Sequence, residues 1–175
     1  KVSSHYFIKK NGEIITLVPD LYEAWHAGLS SWKNYRSLNK NSIGIEITNP
    51  GHKIGYRNFS RKQIYSLEKL LKYLIKNYQL KKECILGHSD ISPNRKKDPG
   101  EKFPWEMLAK NKLGIWHNFD KDKIKKFRGQ NLFTKIDENL FLKNLRKIGY
   151  NNLKGFKSGK NTKLLTLAFQ RRFRQ

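Results

Sequence analysis

The stretch "GHSDISPNRKKDPG", Gly87 to Gly100, sets a histidine and an aspartate ten positions apart around Arg95, Lys96 and Lys97. Imidazole and carboxylate are two of the donor types that hold Zn²⁺, and a catalytic zinc site uses three protein ligands with a water in the fourth position. His88 and Asp98 supply two such donors. Taken alone they persuade little: a lone histidine is more often a satisfied polar residue, and Asp98 before Pro99-Gly100 suits the start of a turn. Glu46 changes the weighting. It lies in "NSIGIEITN", where Ile43, Ile45 and Ile47 share one face of a strand and Gly44, Glu46 and Thr48 the other. A carboxylate there is either solvated at an edge or held in a cleft, where it can act as general base toward a metal-bound water. Lys96, two positions before Asp98, completes the set as a cation that stabilises an oxyanion. Without its neighbours it reads as a solvated lysine in a basic loop.

Those groups need a scaffold that brings positions 46, 88 and 98 together. Residues 2–8, "VSSHYFI", and the run "NGEIITLVP" read as two antiparallel strands, with Asn11-Gly12 as the hairpin turn. From Ser60, apolar residues at Ile64, Leu67, Leu70, Leu71, Leu74, Ile75 and Tyr78 follow the three-and-four spacing of an amphipathic helix, with Ser60 as N-cap. "CILGHSD" reads as a short buried strand that puts His88 at its carboxyl end, where α/β folds place their sites. The order β-β-β-α-β predicts an α/β domain with a mixed central sheet flanked by helices. Beyond "FPWEMLAKNKLGIW", the charge-dense "DKDKIKKFRG", 120–129, reads as a connector. The expected division is therefore 1–119 for the α/β domain and 120–175 for a small C-terminal helical module. That module carries one helix around "ENLFLKNLRKIGY", closed by Gly149, and a second in "TKLLTLAFQRRF", opened by Thr162. About 50 residues are marginal as an independent fold, so the module should lean on the first domain.

Composition narrows the class. The 37 Lys and Arg against 14 Asp and Glu give a net charge of +23, which favours a polyanion: nucleic acid, an anionic membrane surface or an acidic wall polymer. The basic residues are scattered, as on a lysine-rich solvated surface, and no base-reading motif accompanies them, so specific nucleic-acid recognition is not expected. No apolar run reaches the ~18 residues of a membrane span. A single cysteine, Cys84, cannot form an internal disulfide. "KVSSHYFI" looks like a strand that begins in mid-domain, so the domain's N-terminus is expected to be incomplete here.

In this order and spacing, "VSSHYFI", "AWHAG", "NSIGIEITN", "GHSDISPNRKKDPG" and "FPW" resemble the zinc-dependent N-acetylmuramoyl-L-alanine amidases of the type 2 amidase family, which also includes the peptidoglycan recognition proteins. The resemblance spans about residues 1 to 116. It implies a hydrolase that uses Zn²⁺ to cleave the amide between N-acetylmuramic acid and L-alanine in peptidoglycan or anhydro-muropeptides. By the family pattern His88 and Asp98 are zinc ligands, Glu46 is the catalytic acid/base and Lys96 the transition-state stabiliser. The family's first zinc ligand is a histidine on a strand preceding "VSSHY", expected upstream of Lys1. His5 matches a position that is not the usual ligand and reads as a packing or cleft residue. Trp25, His26 and Arg95 are assigned to substrate binding, the alternative being that Trp25 is core and His26 a turn residue. His52 and His117 fit no ligand position, and Trp105 should pack the core.

More distantly, "FLKNLRKIGYNN" and "NTKLLTLAFQRRFRQ" resemble a three-helix peptidoglycan-binding module, with a helical cap on the first domain as the alternative. A wall-tethering module would favour the bacterial envelope, the periplasm, over cytoplasmic recycling. The expected partner is peptidoglycan or a muropeptide, and the expected state a monomer. A non-catalytic peptidoglycan-recognition protein is the competing function; a basic nucleic-acid binder, steeply salt-dependent, is a third.

Overall fold

The computed structural model describes residues 3–127, 134–152, 155 and 157–174. Its centre is a mixed three-stranded sheet in the order β2-β1-β5. Strand β1 (Tyr6–Ile8) pairs antiparallel with β2 (Ile14–Thr16), Phe7 opposite Ile15. On its other side it pairs parallel with β5 (Ile45–Ile47), Phe7 opposite Glu46. The α/β class with flanking helices is thus as the sequence predicts.

β1 is shorter than the predicted 2–8, and Val2 lies outside the described residues. Ser3 and His5 turn their polar groups elsewhere. The Ser3 N–H donates to the Trp25 carbonyl and its Oγ accepts from the Trp25 N–H at 2.8 Å, while the His5 N–H donates to the Gly44 carbonyl. Those residues tie the "AWHAG" segment to the sheet. In the hairpin, Gly12 has φ 89°, and a Cβ there would stand 2.8 Å from the Lys62 carbonyl. Both the turn and the approach of the following helix therefore require glycine.

Helix α1 (Gly51–Ile54) precedes the long helix α2 (Arg61–Tyr78), which starts where predicted. Ser60 and Gln63 form a reciprocal capping box that satisfies two N-terminal donors. Its stripe of Ile64, Leu67, Leu70, Leu71 and Leu74 is buried against Tyr6, Ile8, Phe103, Trp105, Leu108 and Leu113. Burying each such aliphatic side chain contributes about 1.5–3 kcal/mol. Ile43, Ile45 and Ile47 pack on the same core, so Glu46 is left on the opposite face. Trp105, at the start of α4 (Trp105–Lys110), is 3 % exposed, which makes it a core residue as expected.

"CILGHSD" does not form a strand. Lys82–Cys84 is a 3₁₀ turn, and the one-turn helix α3 (His88–Ile91) begins at His88 itself. A strand needs a ladder to meet its backbone groups. Here side chains do that work: Asp90 Oδ2 accepts from the Gly87 N–H at 2.8 Å, and Arg172 Nη2 donates to the Ile85 carbonyl at 2.9 Å. The segment runs between two cores, Ile85 packing on the first and Leu86 and Ile91 on the second.

The second core joins distant parts of the chain. Ala27, Trp32 and Leu38 meet Leu142, Leu145, Tyr150, Leu165 and Ala168. Trp32 belongs to a hairpin of β3 (Ser31–Trp32) and β4 (Tyr35–Arg36). The predicted connector contains helix α5 (Lys121–Phe127), whose start is held by Asp120 accepting from the Lys123 N–H at 2.7 Å. Helix α6 (Lys135–Ile148) is closed by Gly149, as predicted, and capped at its start by Thr134. A Cβ on Gly149 would lie 2.3 Å from the Trp32 ring. Helix α7 (Ser158–Phe173) starts before Thr162, which is therefore not its N-cap. The Thr162 hydroxyl instead donates to Glu138 on α6. With α6 and α7 sharing a core with Ala27 and Trp32, the helical-cap alternative describes them, and the likeness to a three-helix peptidoglycan-binding module is not borne out. Among the described residues no helix is long and apolar enough to cross a membrane.

Candidate active site

Glu46 stands in the middle of β5, and its charge is felt by His88, Lys96 and Asp98 in the segment from α3 to Gly100. Its carboxyl is raised from the ordinary value, first by partial desolvation and then by the charge of Asp98, with His88 and Lys96 pulling it down. Glu46 is nonetheless exposed, so water reaches it. Glu46, His88, Lys96 and Asp98 are therefore within electrostatic reach of one another.

His88 opens α3 with its ring between two oxygens. Nδ1 is 3.0 Å from Asp98 Oδ2, and Nε2 is 3.2 Å from the Ala27 carbonyl. A carbonyl can only accept, so the Nε2 proton is fixed there and Nδ1 is the nitrogen turned to Asp98. Metal-bound imidazoles are held in this way, one nitrogen on a backbone carbonyl and the other on the metal; here that other nitrogen is hydrogen-bonded to Asp98. Burial alone would raise the Asp98 carboxyl; the hydrogen bond and charge of His88, with Lys96, outweigh it and hold the group below its ordinary value. The Ser89 N–H donates to the Asp98 carbonyl at 2.8 Å, so α3 also holds the loop bearing Asp98.

Nδ1 of His88 and Oδ2 of Asp98 fit two positions of a tetrahedral metal site. Among the described residues no group of three His, Cys, Asp or Glu converges. His5 cannot fill the gap: its Nδ1 accepts from the Gly44 N–H at 3.0 Å and its Nε2 donates to the Tyr22 carbonyl at 2.9 Å. His26 lies against Gly44, where a Cβ would come within 2.3 Å of its ring, and its Nε2 is directed at the Ser42 carbonyl 3.3 Å away. Burial lowers the His26 imidazole, the Ser42 hydrogen bond opposes this, and the charges of His5 and His88 lower it further. His52 pairs with Glu101 and stacks on Tyr56; His117 lies against Trp116 and Phe119.

Trp25 is 59 % exposed, so it is not a core residue. Arg95 Nη2 donates to the carbonyls of Ala27 and Leu29, both at 2.9 Å, and so braces the segment that follows Trp25 and His26. Lys96 is half-buried with its charge facing Glu46 and Asp98. Several residues that shape this site carried no sequence signal. The Tyr56 hydroxyl donates to the Pro99 carbonyl at 2.6 Å and accepts from the Lys102 N–H at 2.9 Å, stapling the turn after Asp98. Burial pushes its phenol up to about 12. Asp90, Tyr150 and Arg172 form a buried cluster behind α3.

Residues 1–101 match the family model described as N-acetylmuramoyl-L-alanine amidase. The chain belongs to that amidase family. Among its curated relatives, the N-acetylmuramoyl-L-alanine amidase AmiD of Escherichia coli is 36% identical across 99% of this chain and 67% of its own length. The 1,6-anhydro-N-acetylmuramyl-L-alanine amidase AmpD of Haemophilus influenzae is 39% identical over 61% of this chain and 56% of its own. The chain thus spans about two thirds of the first relative and about half of the second. Two solved structures superpose over 99% of the chain. One is Escherichia coli AmiD with the substrate anhydro-N-acetylmuramic acid-L-Ala-D-gamma-Glu-L-Lys, at 36% identity, TM-score 0.82 and 71% of that chain. The other is Pseudomonas aeruginosa AMPDH3 with anhydromuramic pentapeptide, at 30% identity, TM-score 0.82 and 74% of that chain. Both likenesses extend through α6 and α7, so the cap belongs to the aligned part of the fold.

Proposed function

We propose that this chain is the hydrolytic part of an N-acetylmuramoyl-L-alanine amidase that cleaves the amide between N-acetylmuramic acid and L-alanine in peptidoglycan-derived, anhydro-muropeptide substrates. The observation that carries the reading is the His88–Asp98 pair at 3.0 Å with Glu46 and Lys96 within electrostatic reach of it, on an amidase-family fold. Substrates of this class are bound by the two solved relatives, by the names of their complexes.

Nδ1 of His88 and Oδ2 of Asp98 would be two of the ligands that hold Zn²⁺. When bound, the ion supplies Lewis-acid polarisation of the scissile carbonyl and lowers the pKa of a coordinated water toward about 7. The remaining steps belong to the chain. Glu46 accepts a proton from the attacking water and passes it to the departing amine of L-alanine. Its raised affinity for the proton suits a group that must both take and give at near-neutral pH. Lys96 faces the negative charge that grows on the carbonyl oxygen. Trp25 offers an exposed ring face to the muramyl sugar, and Arg95 holds the segment that positions it.

The competing reading, a non-catalytic recognition protein, draws on the two-donor set found among the described residues. Zinc content of the full-length protein, paired with release of L-alanine-headed peptides from anhydro-muropeptides and intact peptidoglycan, separates them. About one zinc per chain and cleavage that Glu46→Ala abolishes would support the amidase, since one ion is the stoichiometry of such a site. Muropeptide binding without zinc or cleavage would establish the recognition protein instead.

A further inference from the structure

His88 sits on a helix of four residues, α3, and one helical turn has no stability of its own. Whatever aims the His88 ring at Asp98 must come from outside that turn. Behind it lies Asp90, 2 % exposed, with both carboxylate oxygens engaged. Oδ2 accepts from Arg172 Nη1 at 2.6 Å and from the Gly87 N–H at 2.8 Å; Oδ1 accepts from the Tyr150 hydroxyl at 2.5 Å. Arg172 uses Nη2 on the Ile85 carbonyl and lays its guanidinium 3.9 Å above the Trp105 ring. Tyr150 is 0 % exposed, edge-on to Trp32. Burial and the charge and hydrogen bond of Asp90 push its phenol far up, so the hydroxyl stays a donor.

Buried ion pairs are often no more stabilising than apolar side chains of the same volume, so stability alone is a poor account of this one. Its geometry supplies another. The oxygen that Arg172 holds is the one that receives the N–H of Gly87, the residue before His88, and the same turn receives Asp98 through the Ser89 N–H. Both donors of the clamp, Tyr150 and Arg172, lie beyond residues 1–101 that match the family model.

We infer that Tyr150 and Arg172 are positioning residues for the metal-binding pair: by clamping Asp90 they fix the His88 ring and, through Ser89, its distance to Asp98. The inference rests on the assignment of His88 and Asp98 as metal ligands, and it gives the C-terminal cap a part in building the site.

The test uses the full-length protein and Tyr150→Phe, which removes one hydroxyl and leaves the ring packed. Three quantities are compared with wild type: zinc affinity by competition with a chromophoric chelator, kcat and KM on an anhydro-muropeptide, and the His88 imidazole NMR signals of the zinc-free chain. The zinc dissociation constant should rise about tenfold or more, as for lost outer-shell partners, with kcat reduced, KM unchanged and the His88 signals shifted. Arg172→Lys keeps the cation but gives up the fork, and should fall between wild type and Arg172→Met. A folded Tyr150→Phe protein with a lower Tm but unchanged zinc affinity and His88 signals would overturn the inference and leave the cluster a stabilising one. Should wild type take up no zinc, the zinc reading fails by itself. The clamp is then judged on His88 alone, shifted signals supporting it and unchanged signals overturning it.

Discussion

A cation speeds acyl transfer only if it meets more negative charge in the transition state than before it. Lys96 already faces Glu46 and Asp98 in the resting site, so its added contribution is to the charge that appears on the carbonyl oxygen. Lys96→Met should therefore lower kcat by about 10²–10³ with little change in KM, the usual cost of losing an oxyanion partner. Steady-state kinetics on an anhydro-muropeptide decides it; a raised KM at constant kcat would make Lys96 a binding residue. His26 gives a pH prediction of definite sign. The unfolded chain takes up its proton near 6.5, whereas burial makes the folded imidazole do so only at lower pH. Below about 6.5 the unfolded state thus holds more protons, and stability falls as pH drops through that window. Urea unfolding at pH 7.5 and 5.5 should show a larger loss for wild type than for His26→Gln. At this scale Glu46 and the His88 to Asp98 loop are legible in the sequence, because strand alternation and a short loop confine them. Asp90 and Tyr56 are not legible, because their partners stand tens of residues away and nothing local marks the pairing.

Helix α2 does more than cover the sheet, because its first turn is bonded to the strands that carry the site. The Ser60 hydroxyl donates to the Lys10 carbonyl in the β1-β2 hairpin, and buried Gln63 donates from Nε2 to the carbonyl of Thr48, just past β5. Gln63 also accepts from the Ser60 N–H, so cap and strand contacts are one network. Ser60→Ala should cost about 1 kcal/mol, as typical for a lost N-cap. Gln63→Ala should cost more, since the Thr48 carbonyl and the Ser60 N–H both lose a partner, each at about 1–3 kcal/mol where the group is buried. Urea midpoints measure both, and equal costs would mean that the Thr48 contact contributes nothing. Because Thr48 lies two residues from Glu46, Gln63→Ala should also lower kcat, while Ser60→Ala should not. This helix is plain in the sequence, since its apolar spacing, its cap and its length agree. "CILGHSD" misleads for the opposite reason. Its apolar run is buried between two cores as a strand would be, yet its polar backbone is met by Asp90 and Arg172 rather than by a neighbour.

At the scale of the whole molecule the question is whether the helices after residue 133 are an appendage or part of the first fold. An appendage can be removed and leave the rest intact. Here removal would uncover Ala27, Trp32 and Leu38, strip Asp90 of two of its donors and expose the ring of Trp105 that Arg172 covers. A chain ending at Phe127 should therefore lose cooperative unfolding, bind a hydrophobic dye at 25 °C and hold zinc poorly even where its secondary structure persists, as expected of a domain with one of its cores opened. A truncated chain that melts cooperatively near the wild-type Tm and keeps its zinc affinity would show that the first unit folds alone. In that case Arg172 and Tyr150 only decorate it. The two outcomes differ because a buried carboxylate deprived of its cation costs several kcal/mol, a large part of the 5–15 kcal/mol that holds a domain of this size together.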